Sequence, residues 1–128
     1  MHLVAILAAV VAALIHAWFF TLESLLFDRP TVYGRFGIHT AEDAAVVRQM
    51  AFNQGFYNLF LAIGIVAGLV LVAAGHVDAG RAVVVFACAC MVGAGAVLLG
   101  TNHRFLTASA IQAVPPLVAI LATLVLAP

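Results

Sequence analysis

The sequence predicts an all-α fold, an integral membrane bundle of four helices running up and down. Three observations carry that expectation. Of 128 residues, 66% are hydrophobic and 8% charged, with a mean hydropathy of +1.23. Soluble domains average about 25% charged residues, so this chain lacks the polar surface to coat a water-soluble particle. Its apolar residues fall in four long runs, and about 20 residues suffice for one crossing of a bilayer. The later connections are short, which favours antiparallel neighbours. Residues 1–128 therefore read as one transmembrane domain in contact with the lipid bilayer.

The charges exclude other classes. Lys plus Arg number 5, all of them Arg, against 5 Asp plus Glu. No basic face exists to bind nucleic acid, and a chain this apolar does not belong among disordered ones. Cys88 and Cys90 lie about 200° apart on a helix, so they neither bridge nor share a metal there. They read as small core residues.

The first run spans residues 3–27 and is interrupted only by His16, Thr21, Glu23 and Ser24. No Lys or Arg precedes it, it exceeds the length of a signal-peptide core, and it carries a carboxylate, so a retained first helix is expected. A polar stretch follows from Asp28 to Gln49. Within it, Thr40 to Asp43 has the spacing of a capping box with acidic residues at a helix start. The second helix is expected over 41–74, entering lipid near Met50 and stopped by Gly75. The third is expected over 81–100 and the fourth over 105–127. Pro115 and Pro116 withhold donors from the carbonyls of Ile111 and Gln112, which predicts a kink.

Arginine placement orients the bundle. Arg29, Arg35, Arg48 and Arg104 fall on the side of the first and third loops, and Arg81 alone on the other. The positive-inside rule then places those loops in the cytoplasm and both termini outside. Small residues at Gly64 and Gly68, and at Ala89, Gly93, Ala96 and Gly100, allow close helix approach. They suit packing within the bundle, or contact between copies through the Gly64/Gly68 or Gly93/Gly100 faces.

Polar side chains inside apolar helices are costly and usually face a bundle interior or a cavity. Here they are His16, Glu23, Asn53, Gln54, Tyr57, Asn58 and Gln112. His16 and Glu23 share a face about 10 Å apart along the axis. Asn53, Gln54, Tyr57 and Asn58 cover an arc of about 140°. All lie in the half of the membrane next to the first and third loops, whereas the other half is nearly featureless. One polar layer, drawn from three helices, is the expectation.

The string Asn53-Gln54-Gly55-Phe56-Tyr57-Asn58 resembles the NQGxYN signature of a small bacterial membrane family, domain-of-unknown-function family 1304. The resemblance continues in His16-x6-Glu23 with Trp18, Phe19 and Phe20, in Phe36-Gly37, in the Gly-rich third helix and in Gln112-x-x-Pro115. It covers essentially the whole chain. It implies a four-helix protein of the bacterial inner membrane, distantly similar in architecture to the DoxX-like group, and brings no reaction with it.

Three functions compete. The first is a cofactor-independent, membrane-embedded acid/base enzyme, an isomerase, cyclase or epoxide-opening hydrolase of a lipophilic small molecule. Glu23, His16 and Asn58 would be its working groups, and Asn53, Gln54, Tyr57, Gln112, Trp18 and Phe20 its substrate contacts. No metal cluster or nucleotide loop is visible. The second is a small carrier or membrane-complex subunit with a proton or cation site. In the third, the polar layer only holds the bundle together.

Overall fold

A computed structural model describes residues 1–126 of the chain. The protein is all-helical, and no β-strand occurs among the described residues. Helix α1 runs Leu3–Phe20 and continues as a π-helical turn over Thr21–Leu25. A short α2, Pro30–Tyr33, precedes α3, Ala41–Ala73. Then come α4, Val77–Thr101, and α5, Leu106–Val125. Four of these segments are long and apolar enough to cross a membrane. The expected end of the last helix at Ala127 lies outside the described residues.

The helix ends follow local chemistry. The Thr40 hydroxyl accepts the Asp43 backbone N–H at 3.1 Å, and Glu42 and Asp43 occupy the first turn of α3. Acidic groups there meet the positive end of the helix dipole. At the other end, Gly75 takes φ +90. The His76 and Gly75 amides fold back to the carbonyls of Leu71 and Val72 at 2.9 and 3.1 Å, the pattern that closes a helix on a left-handed glycine. Helix α4 starts a turn earlier than expected, at Val77. Asp78 suits its first turn, and Gly80 is a packing residue within the helix rather than part of the connection.

The chain divides into two compact units. The first comprises Met1–Ile15 and the residues from Leu61 onward. Its core joins all four long helices through Ala9, Ala12 and Ala13 of α1, Ala62 and Ile65 of α3, Val84, Ala87, Cys88 and Met91 of α4, and Ala119 of α5. Most of these are small, while large side chains such as Phe86, Val97 and Leu121 point outward. Lipid is as apolar as leucine, so helices in a membrane gain by close backbone approach more than by hiding large side chains. Gly68 shows this directly. A Cβ there would stand 2.7 Å from Val84 Cγ2 and 2.9 Å from the Gly80 carbonyl oxygen. Gly64 faces the Ala87 methyl, whereas Gly93 and Gly100 face open space.

The second unit comprises His16–Phe60. Its loop-side part has a small core of Phe27, Tyr33 and Ala44, flanked by Ile38, Val47 and Ala51. That core anchors the polar segment to the start of α3, and it holds the end of α1 in place for the site described below.

These contacts predict a sharp difference between two equal substitutions. Gly68→Ala should destabilise the detergent-solubilised protein by about 1–3 kcal/mol through overpacking. Gly93→Ala, where nothing lies within 4 Å, should be neutral or gain up to about 1 kcal/mol of helix propensity. Thermal unfolding of both checks this, and equal shifts would contradict the assigned packing.

Candidate functional site

Glu23 sits in the π-helical turn that ends α1. The Leu26 amide donates to the Thr21 carbonyl at 3.0 Å, one residue beyond the usual α-helical partner. The Thr21 hydroxyl bonds back to the Ala17 carbonyl at 3.1 Å. Such a turn inserts one residue into the helix and so re-aims the side chains that follow. Leu22, Glu23 and Ser24 are all buried as a result.

The facing element is α3, antiparallel to this end of α1. Three contacts step along both segments four residues at a time. Arg48 Nε donates to Asp28 Oδ1 at 2.8 Å, the Ser24 hydroxyl donates to the Phe52 carbonyl at 2.9 Å, and the Phe20 and Phe56 rings meet edge to face at 5.1 Å. Gly55 lets the segments come this close. A Cβ on it would collide with the Ser24 hydroxyl and stand 3.1 Å from Ser24 N and 3.2 Å from Glu23 Cβ.

Within that frame Asn58 Nδ2 donates to Glu23 Oε2 at 2.8 Å. Glu23 is 7% exposed and Asn58 5%. A polar group taken out of water is costly without a partner, and these two supply each other. His16 is fully buried on the same helix as Glu23, its ring edge-to-face with Phe19 at 5.6 Å. Phe52, Phe56 and Phe60 form a row of touching rings along α3, and Phe20 meets that row at Phe56.

Four of the remaining expected residues are exposed on their helices. Asn53, Gln54 and Tyr57 are exposed on α3, and Trp18 is exposed on α1. Asn53 and Asn58 are about 140° apart on a helix, too wide an arc for one neighbour to cover. Gln112 belongs to the first unit, half-buried on α5, which continues through Pro115 and the buried Pro116. In that unit the Ser109 hydroxyl donates to the Gly95 carbonyl at 2.6 Å.

Sequence reasoning missed Ser24, Gly55 and Arg48 as parts of the site. A signal was present. Pairing the opposite charges of Asp28 and Arg48 in an antiparallel register places Ser24 opposite Phe52 and Glu23 beside Gly55.

Gly55→Ala should therefore cost about 1–3 kcal/mol by overpacking against backbone that cannot swing aside. Adding Ser24→Ala should return part of the loss, because it removes the atom nearest the new methyl. Unfolding midpoints of the two variants check this. A Gly55→Ala protein as stable as wild type would contradict the close approach.

A family model described as "Protein of unknown function (DUF1304)" matches residues 10–124. Searches of curated proteins and of solved structures each returned no match. The match takes in the π-helical turn with Glu23, the Asn53–Asn58 string and the helices that follow. The chain belongs to the DUF1304 family.

Proposed function

We propose that this protein is a membrane-embedded acid/base enzyme acting on a lipophilic small molecule, with Glu23 as the proton-exchanging group. The observation that carries the reading is the buried carboxyl of Glu23, held on one oxygen by Asn58 at 2.8 Å inside a π-helical turn. An ionisable residue within an apolar helix is expensive and usually functional, and π turns recur at functional sites. The Asn58 bond uses Oε2, so Oε1 is the atom that gives or takes a proton. A general acid or base must be oriented before its proton moves, and the amide provides that orientation.

The chemistry this equipment suits is isomerisation or cyclisation. Glu23 delivers a proton to one carbon of the substrate and recovers one from another, so the substrate keeps its composition and no co-reactant is consumed. Epoxide opening differs by adding one water. His16 serves as a second proton carrier on α1. Phe20 and Phe56, which meet edge to face between the two segments, provide apolar surface, and Asn53, Gln54, Tyr57 and Trp18 are outer groups for a molecule arriving from the lipid. In this reading the protein lies in a bacterial inner membrane. The arginine asymmetry supports cytoplasmic first and third loops.

The test compares membranes containing wild type, Glu23→Gln or Asn58→Ala at matched protein levels, with lipid extracts separated by chromatography and mass spectrometry. Wild type should shift an isobaric pair of lipophilic species, or add one water to a species. Glu23→Gln should reduce the change by about 10²–10⁴-fold, the range of a lost acid/base contribution, and Asn58→Ala, which removes only the orienting partner, should reduce it by less. Extracts that do not differ between wild type and Glu23→Gln would remove the enzyme reading. Proton flux into proteoliposomes that is lost in Glu23→Gln would replace it with a carrier.

A further inference from the structure

Arg48 lies near the start of α3 and takes no part in the proposed chemistry, yet its guanidinium reaches the end of the turn that carries Glu23. The last carbonyls of a helix have no partners within it. Ser24 supplies one of them, and its carbonyl accepts from Arg48 Nη2 at 3.5 Å while Nε of the same guanidinium binds Asp28 at 2.8 Å. The guanidinium carbon also stands 5.7 Å from the centroid of the Phe52 ring. Phe52 in turn accepts the Ser24 hydroxyl through its carbonyl. The hydroxyl and the carbonyl of Ser24, the residue after Glu23, are thus held from α3.

Energy alone does not account for this arrangement. The side chains of Arg48 and Asp28 are 32% and 75% exposed, and an ion pair in contact with solvent adds little stability. Geometry does. A planar guanidinium delivers donors in two fixed directions at once, which an ammonium cannot. A cation at this end of a helix also meets the negative pole of its dipole. We propose that Arg48 is a positioning residue that clasps the end of the π turn and so keeps Glu23 seated against Asn58. Its functional consequence rests on the reading of Glu23 as the working group, whereas the clasp is a statement of geometry.

The test is nuclear magnetic resonance of the ¹⁵N-labelled full chain in lipid nanodiscs. It reads the side-chain amide of Asn58, assigned by its loss in Asn58→Ala, with the exposed Asn53 as internal standard. Arg48→Ala should move the Asn58 amide proton signal towards that of Asn53. Arg48→Lys, keeping the charge but not the fork, should restore part of the displacement. Asp28→Asn, which leaves the reach to Ser24, should move it least. An Asn58 signal unchanged in Arg48→Ala overturns the proposal, whatever happens to the melting temperature. So does a uniform change of signals across the whole chain. If Arg48→Ala does not fold, Arg48→Lys is read by the same criterion, and an unmoved Asn58 signal overturns the proposal. No substrate enters this measurement. A moved Asn58 signal beside lipid extracts that Glu23→Gln leaves unchanged would keep the clasp and remove the enzyme.

Discussion

A carboxyl group inside an apolar helix must find a donor, and the hydrogen bond from Asn58 to Glu23 meets that requirement here. Much of the surrounding geometry follows from it. A regular α-helix from Leu3 onward would carry the residues after Phe20 round at a fixed pitch, and the π turn interrupts that pitch where Glu23 and Ser24 need to be buried together. The turn in turn requires space on α3, which Gly55 leaves by having no side chain. Arg48 then meets the Ser24 carbonyl at the altered helix end, and the Ser24 hydroxyl donates across to the Phe52 carbonyl of α3. Each step answers a cost created by the one before.

The same economy of polar groups operates in the first unit without a buried carboxylate. Arg81 Nη2 donates to the Thr123 carbonyl at 2.9 Å, close to the end of α5. The Thr123 hydroxyl returns to the Ala119 carbonyl at 2.7 Å. A cation meeting carbonyls near a helix C-terminus is favourable on both hydrogen-bond and dipole grounds, and Arg48 uses the same device on α1. What holds the helices of this unit is close contact of small residues. Gly68 and Gly80 bring backbone against backbone, and the outward-facing large side chains are left to lipid.

The helices were legible because length and composition decide them. Apolar runs of crossing length, a threonine three residues before an aspartate and a glycine after an apolar run are local signals, and α3 begins where they place it and ends one residue short. Burial of Glu23 and Asn58 was legible as well, since an isolated polar residue deep in an apolar segment has few other places to be. The π turn was not. It depends on a long-range match between Ser24 and the Phe52 carbonyl, and the local string Thr21–Leu25 is compatible with an ordinary helix. For the same reason Gly55 read as one letter of a motif, although its value lies in what it leaves empty. The polar arc on α3 was legible as polar but not as divided. Asn58 faces inward while Asn53, Gln54 and Tyr57 are exposed, and only the position of the neighbouring helix decides which is which.

The most direct test of the account is a double-mutant cycle on Glu23 and Asn58, with Glu23→Leu, Asn58→Leu and both together, unfolded from lipid–detergent micelles. If the two side chains are partners, their combined cost departs from the sum of the single costs by about 0.6–2 kcal/mol, the range for hydrogen bonds between membrane helices. Additivity within about 0.3–0.5 kcal/mol, as for independent sites, would contradict the pairing on which the site is built.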